Sequence, residues 1–158
     1  MKRLGFVNSN KGWNWLKSLE NKLEKERWNG KENVSSRKCL WFGVGVELGF
    51  RNEVYKGLEI SEGLRKRGNE LWGSDDWNSV LVYKYEKGSE LKDHIDRKVF
   101  DNKAIVINFC KDLMSGFRYS GEVFYLRDGE VIEFNNKVLH GVCKVESERW
   151  SVSFRKVI

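Results

Sequence analysis

From Ser79 to Ile158 the chain is a series of short alternating runs, and this half restricts the possible folds more than any other feature. The runs are SVLVYKY, SELKDHID, KAIVINFC, EVFYLR, EVIEFN, VLHGVCKV and RWSVSFRKVI, with KG and DG turns among the breaks. Alternation with period two gathers apolar side chains on one strand face, and β-branched and aromatic residues suit such faces. Recurrence at about ten-residue spacing is the pattern of a sandwich or barrel. The stretch through GFRYSG is read as a loop between two strands. Proline is absent, so 15 glycines and the Asn and Asp residues must supply the turns.

Residues 1–76 read differently. The spacing predicts a helix over residues 9–28, capped by Ser9 or Asn10, with Leu16, Leu19 and Leu23 on one stripe beside Trp15. Asn29-Gly30 is the expected stop. KENVSS then leads into RKCLWFGVGVELGF, a strand or hairpin with glycines at 43, 45 and 49. Trp41 and Phe42 are adjacent, so one of them is expected outside the core. A second helix is expected over residues 57–71, with Leu58, Ile60, Leu64 and Leu71 apolar and Arg65, Lys66 and Arg67 exposed. At 158 residues, 40% hydrophobic and 13% aromatic, the chain fits one domain with one core. Two N-terminal helices packed on a mainly β core (α+β) are expected.

The formal charge of +6 favours an anionic partner, nucleic acid first. Seven tryptophans beside basic residues suit unstacked bases, although most such rings belong to cores. Cys39, Cys110 and Cys143 are odd in number and lack CxxC spacing, which argues for a reducing compartment and against a disulfide scaffold or a zinc site. No apolar run approaches the roughly 20 residues of a membrane span, and the N-terminus lacks the apolar stretch of a signal peptide. A cytoplasmic protein with no membrane association and no obligate protein partner is expected.

The chemistry centres on His94 and Asp96 in ELKDHID. Two positions apart on a strand, they project from one face and can reach one cation. The only other histidine is His140. Two histidines and one carboxylate form the facial triad that leaves positions open on Fe(II). In the terminal RWSVSFR, Arg149, Ser151, Ser153 and Arg155 share one face, while Trp150, Val152 and Phe154 share the other. An inward face carrying two arginines is costly to bury without an anion, and a dicarboxylate suits the bidentate guanidinium fork.

At these residues the sequence resembles the AlkB-like branch of Fe(II)- and 2-oxoglutarate-dependent dioxygenases. The resemblance runs from about Trp77 to Ile158. It rests on LVYKYEKGSELKDHID, on LHGV around the second histidine, and on the terminal R-x5-R ending in S-F-R. A weaker likeness in RKCLWFG, to the family's substrate-lid strand, extends it toward the N-terminus. It implies a double-stranded β-helix (jelly-roll) core over 77–158, with helices and short lid strands before it. It further implies that His94, Asp96 and His140 ligate Fe(II), and that Arg149, with Tyr85 and Ser151, holds the distal carboxylate of 2-oxoglutarate. Arg155 then lies near the other carboxylate and Asp96. Tyr83 stands where the family usually has Asn in contact with the co-substrate. The interval from His140 to Arg149 and the whole chain are short for the family, and KAIVINF lacks its usual small-residue pattern.

The implied reaction is oxidative demethylation of N-alkylated bases in DNA or RNA, with dioxygen consumed. Arg37, Trp41, Phe42 and Trp77, with Trp72, are the residues expected to meet substrate, and Arg37, Lys38, Arg51, Arg65, Lys66 and Arg67 form a possible phosphate-contacting strip. Two alternatives stay open. One is a hydroxylase of a protein side chain, or of a base without dealkylation; the other is a non-catalytic nucleic-acid-binding jelly roll.

Overall fold

The computed structural model describes residues 1–32 and 37–158, so Asn33 to Ser36 of the KENVSS segment lie outside the described residues. In chain order the elements are β1 (Lys2–Phe6), α1 (Ser9–Leu19), a 3-10 turn (Glu20–Lys22), β2 (Glu24–Lys25), β3 (Arg27–Trp28), β4 (Lys31–Glu32), β5 (Arg37–Glu47) and β6 (Glu53–Lys56). Then come α2 (Glu62–Trp72), β7 (Ser79–Tyr85), β8 (Leu91–His94), β9 (Lys103–Cys110), β10 (Ser115–Tyr119), β11 (Glu122–Leu126), β12 (Glu130–Asn135), β13 (His140–Val142) and β14 (Arg149–Arg155).

These strands form a double-stranded β-helix. The larger sheet runs β1-β12-β9-β14-β7-β5-β2, with β6 also paired to β5; the smaller runs β11-β10-β13-β8. Its strands alternate as period-two patterning requires. Ile105, Ile107 and Phe109 of β9, with Trp150, Val152 and Phe154 of β14, face one cluster that includes Leu16, Leu19 and Trp72 of the helices. Ala104 and Val106 face the other way and pack with Phe117, Leu126 and Phe134 between the two sheets. The larger sheet is therefore covered on both faces, and its inner face is free to carry polar groups at one end.

Several elements differ from expectation. The first helix ends at Leu19 because residues 24 and 25 pair with β5, Glu24 opposite Cys39 and Lys25 opposite Lys38. A ladder on a long strand outweighs the local helical pattern of a charged segment. Its cap is Asn8, whose side chain accepts the Lys11 amide. The second helix starts at Glu62 behind a Ser61 cap, since Gly57 and Leu58 bond to β5 instead. SGFRY, expected as a loop, is strand β10, paired on both sides by β11 and β13. MKRLGF adds an edge strand, β1, against β12.

Trp41 and Phe42 are both buried, because helices cover one face of β5 and Leu81, Phe100 and Val157 cover the other. Gly68 sits within α2, where glycine costs about 1 kcal/mol relative to Ala. It is there because a Cβ would collide with the Trp77 ring. Among the described residues, no helix is long and apolar enough to cross a membrane.

Candidate metal centre

Antiparallel register assembles the site from both sheets. On the smaller sheet, β13 pairs with β8 so that His140 stands opposite His94, their rings 4.5 Å apart. Asp96 lies just past β8, its amide donating to the Asn136 carbonyl at 2.9 Å. Its Oδ1 lies 3.3 Å from His94 Nε2 and 3.2 Å from His140 Nε2. One ligand atom from each residue falls within 4.8 Å of the others.

The tautomers are set by what each ring touches. Nδ1 of His94 lies 2.8 Å from the Lys92 carbonyl and Nδ1 of His140 lies 2.9 Å from the Val138 carbonyl. A carbonyl can only accept, so Nδ1 carries the proton and the Nε2 lone pairs point at the common centre. Burial, and then the neighbouring His94, lowers the His140 imidazole to about 4; burial lowers His94 too. Both rings are neutral at pH 7, the form that ligates metals.

The larger sheet forms the floor of the adjoining cavity. Across β5, β7, β14 and β9 the register reads Arg37, Tyr85, Arg149, Cys110 and, next to it, Cys39, Tyr83, Ser151, Asn108. The cavity holds about 390 Å³, and the triad, Tyr83, Tyr85, Arg149, Ser151, Ser153 and Arg155 all line it. That is the size of a small-molecule site.

Two of its buried guanidiniums are paired. Arg155 bonds Asp96 through the oxygen that faces away from the histidines, and Arg37 bonds Glu26. Arg149, 2% exposed, has no carboxylate partner among the described residues. Its Nε donates to Asn108 Oδ1 at 2.8 Å, its plane lies 4.8 Å from the Tyr85 ring, and Nη1 has no partner. A buried guanidinium in this state is costly unless an anion completes it.

The expected site residues divide clearly. His94, Asp96, His140, Tyr85, Arg149, Ser151 and Arg155 meet around one cavity. Tyr83 also lines it, but its hydroxyl donates to Glu26 at 2.9 Å instead of standing free for a ligand. Arg37 is held by Glu26 above the Tyr83 ring and is not an exposed phosphate contact.

The aromatic substrate candidates belong to the core. Trp41 stacks on Phe100, Phe42 packs on Trp15, and Trp77, 3% exposed, meets Phe154 edge-on; Trp72 is buried with them. Nor is the basic strip continuous. Arg65 covers Trp77 on the helix side, Lys38 alternates with Arg37 toward that same side, and the cavity opens between the sheets.

Sequence reasoning passes over Glu26, hidden in the over-long helix, and over Trp28, Arg97 and Asn108. Trp28, 38% exposed, lines the mouth of the cavity under the Arg97 guanidinium, 4.5 Å from its ring, with Phe50 at its edge. The Asn29-Gly30 turn that presents it has positive φ at both residues and is tied down by the Phe50 amide, which donates to Asn29 at 2.7 Å. Arg97 makes no ion pair among the described residues, and Arg27, Lys31 and Lys98 beside the two are exposed. Asn108 did carry a signal, as the one amide facing inward on an otherwise apolar strand.

No protein-family model matches the sequence, and neither does any curated protein. Solved structures do. The chain is similar to OsALKBH1, with a TM-score of 0.67 at 11% identity over 96% of this chain and 94% of that one. It is similar to a Pseudomonas putida prolyl-4-hydroxylase, at 0.64 and 13% over 99% and 92%. It is also similar to a Trichoplax adhaerens prolyl hydroxylase in complex with a hypoxia inducible factor oxygen degradation domain peptide fragment, at 0.63 and 12% over 97% and 80%. At this identity the likeness establishes the fold.

Proposed function

We propose that the chain is an Fe(II)- and 2-oxoglutarate-dependent dioxygenase that demethylates N-alkylated bases in nucleic acid. The observation that carries this reading is the buried Arg149 guanidinium, which has no carboxylate partner among the described residues and whose Nη1 is unsatisfied, in the same cavity as the His94, Asp96 and His140 ligand atoms. The three ligands are neutral imidazoles and a carboxylate, the donor set that suits Fe(II) with open positions. When bound, iron and 2-oxoglutarate supply the oxidation of a substrate C–H bond by dioxygen, with release of succinate and carbon dioxide.

The protein's part is placement. Arg149 takes the distal carboxylate of the co-substrate, with Tyr85 and Ser151 beside it on the floor. Arg155 holds the second oxygen of Asp96, so that Oδ1 alone faces the histidines. Asp96 is thereby held in one orientation. If the oxidised carbon is a methyl on a base nitrogen, the hydroxymethyl product loses formaldehyde and leaves the N–H.

Nucleic acid is favoured by the mouth. The half-exposed Trp28 ring and the Arg97 guanidinium stacked on it, which has no carboxylate partner among the described residues, place an aromatic surface and a cation together, the pairing that grips unstacked bases and their phosphates. The similarity to OsALKBH1 agrees with that choice. A second reading, hydroxylation of a peptide side chain, draws on the similarity to the peptide-bound Trichoplax adhaerens enzyme. Aerobic incubation with Fe(II), 2-oxoglutarate and methylated oligonucleotides separates the two. Succinate and formaldehyde in equal amounts are expected; succinate formed only with a prolyl peptide, without formaldehyde, would overturn the demethylase reading.

A further inference from the structure

Resting on that reading, we infer that Asn108 is a positioning residue for the co-substrate, acting by fixing the rotation of the Arg149 guanidinium. Asn108 is fully buried on β9, directly opposite Ser151 of β14. On the same face of that strand stand Ala104 and Val106 on one side and the buried Cys110, whose sulfur lies 3.5 Å from Asn108 Nδ2, on the other, so a polar amide there must find partners or destabilise the fold. It finds them on both sides. Oδ1 accepts from Arg149 Nε at 2.8 Å and from Ser115 Oγ at 2.9 Å, while Nδ2 donates to the Arg127 carbonyl at 3.0 Å.

Only one orientation of the amide satisfies this set. Arginine cannot accept and a carbonyl cannot donate, so the oxygen must face Arg149 and the nitrogen must face Arg127. The amide is therefore locked, and it in turn locks Arg149. A guanidinium held through Nε is pinned in its own plane, and the opposite edge, with the unpartnered Nη1, is what remains for a ligand. The Tyr85 ring supports the flat side. Asn108 touches no ligand itself. It sets the direction in which Arg149 offers its fork, and bidentate recognition of a carboxylate depends on that direction.

No other residue type serves as well. Leucine matches the shape but frees the Arg149 plane. Aspartate pairs with Arg149, competes for its charge, and puts a carboxylate oxygen against the Arg127 carbonyl. Serine at 115 is a lesser support, since it shares Oδ1 with Arg149 and touches neither the arginine nor the metal ligands through its hydroxyl.

The test is anaerobic binding of 2-oxoglutarate to the Fe(II)-loaded protein, read from the visible band of the chelate, beside Fe(II) binding alone. Asn108→Leu and Asn108→Asp should each weaken 2-oxoglutarate binding by roughly tenfold or more while leaving Fe(II) affinity within about twofold, and Ser115→Ala should weaken it less. Equal 2-oxoglutarate affinity in wild type and variants would overturn the inference. So would parallel losses of Fe(II) and 2-oxoglutarate binding, which would mark a purely structural role. If Asn108→Leu does not fold, the near-isosteric Asn108→Asp and Ser115→Ala carry the comparison. Failure of wild type to bind 2-oxoglutarate would instead overturn the proposed function, and the inference with it.

Discussion

Glu26 and Arg37 show what a single pair of residues does here. The carboxylate takes both Arg37 and the Tyr83 hydroxyl, and both charged groups are under 10% exposed. Removing one partner of such a pair leaves the other charged and desolvated, so Glu26→Ala should cost about 3 kcal/mol in urea unfolding. A loss below about 1 kcal/mol would mean that water replaces the carboxylate. His140 supplies a pH dependence. Its folded value, about 4, lies below the roughly 6.5 of an unfolded histidine, so the unfolded chain binds the proton first as pH falls. The stability of the metal-free protein should therefore be full above about pH 6.5 and decline toward about pH 4. His140→Gln should flatten that decline, and an unchanged profile would contradict the burial argument. The triad and the two arginines are legible in sequence because Arg149 and Arg155 share a face by period-two spacing on one strand, His94 and Asp96 stand two apart at the end of another, and His140 is the only other histidine. Tyr83, Glu26 and Asn108 are not, because their roles depend on partners from distant strands.

The β3–β4 ribbon is the element on which the proposed nucleic-acid contact rests, because Trp28 lines the cavity. Its turn is anchored to the β5–β6 connection, which fixes where Trp28 stands. Trp28→Ala should weaken binding of a methylated oligonucleotide about tenfold, as loss of one base–aromatic stack does, and leave 2-oxoglutarate affinity unchanged. Equal oligonucleotide affinity would remove the ribbon from the interface. β7, β9, β12 and β14 can be read from alternation almost to the residue, since each has one face in a dense core. The helices and β10 are harder. Residues 24 to 28 have helix-compatible composition, but Glu24 and Lys25 are claimed by β5 and Arg27 and Trp28 by β4, while SGFRY pairs on both sides despite a polar, glycine-bearing sequence.

At the level of the whole chain, two sheets divide the work. The smaller sheet and the turn after β8 bring His94, Asp96 and His140; the larger brings the arginines, and the cavity between them is where they meet. Arg65, Lys66 and Arg67, half of the basic strip expected from sequence, lie on α2, which packs behind the larger sheet, away from the cavity mouth. The conjunction of H-x-D, the second histidine and R-x5-R carries most of the fold's signature, which is why it can be read at 11% to 13% identity to the solved structures. The lining of the mouth has no such signature. The most direct measurement of the central claim is an anaerobic titration of the purified protein with Fe(II) and then 2-oxoglutarate, alongside His94→Ala and Arg149→Ala. A visible chelate band should form with wild type, fail with His94→Ala, and need much higher 2-oxoglutarate with Arg149→Ala; no band with wild type, or the same band in all three, would contradict it.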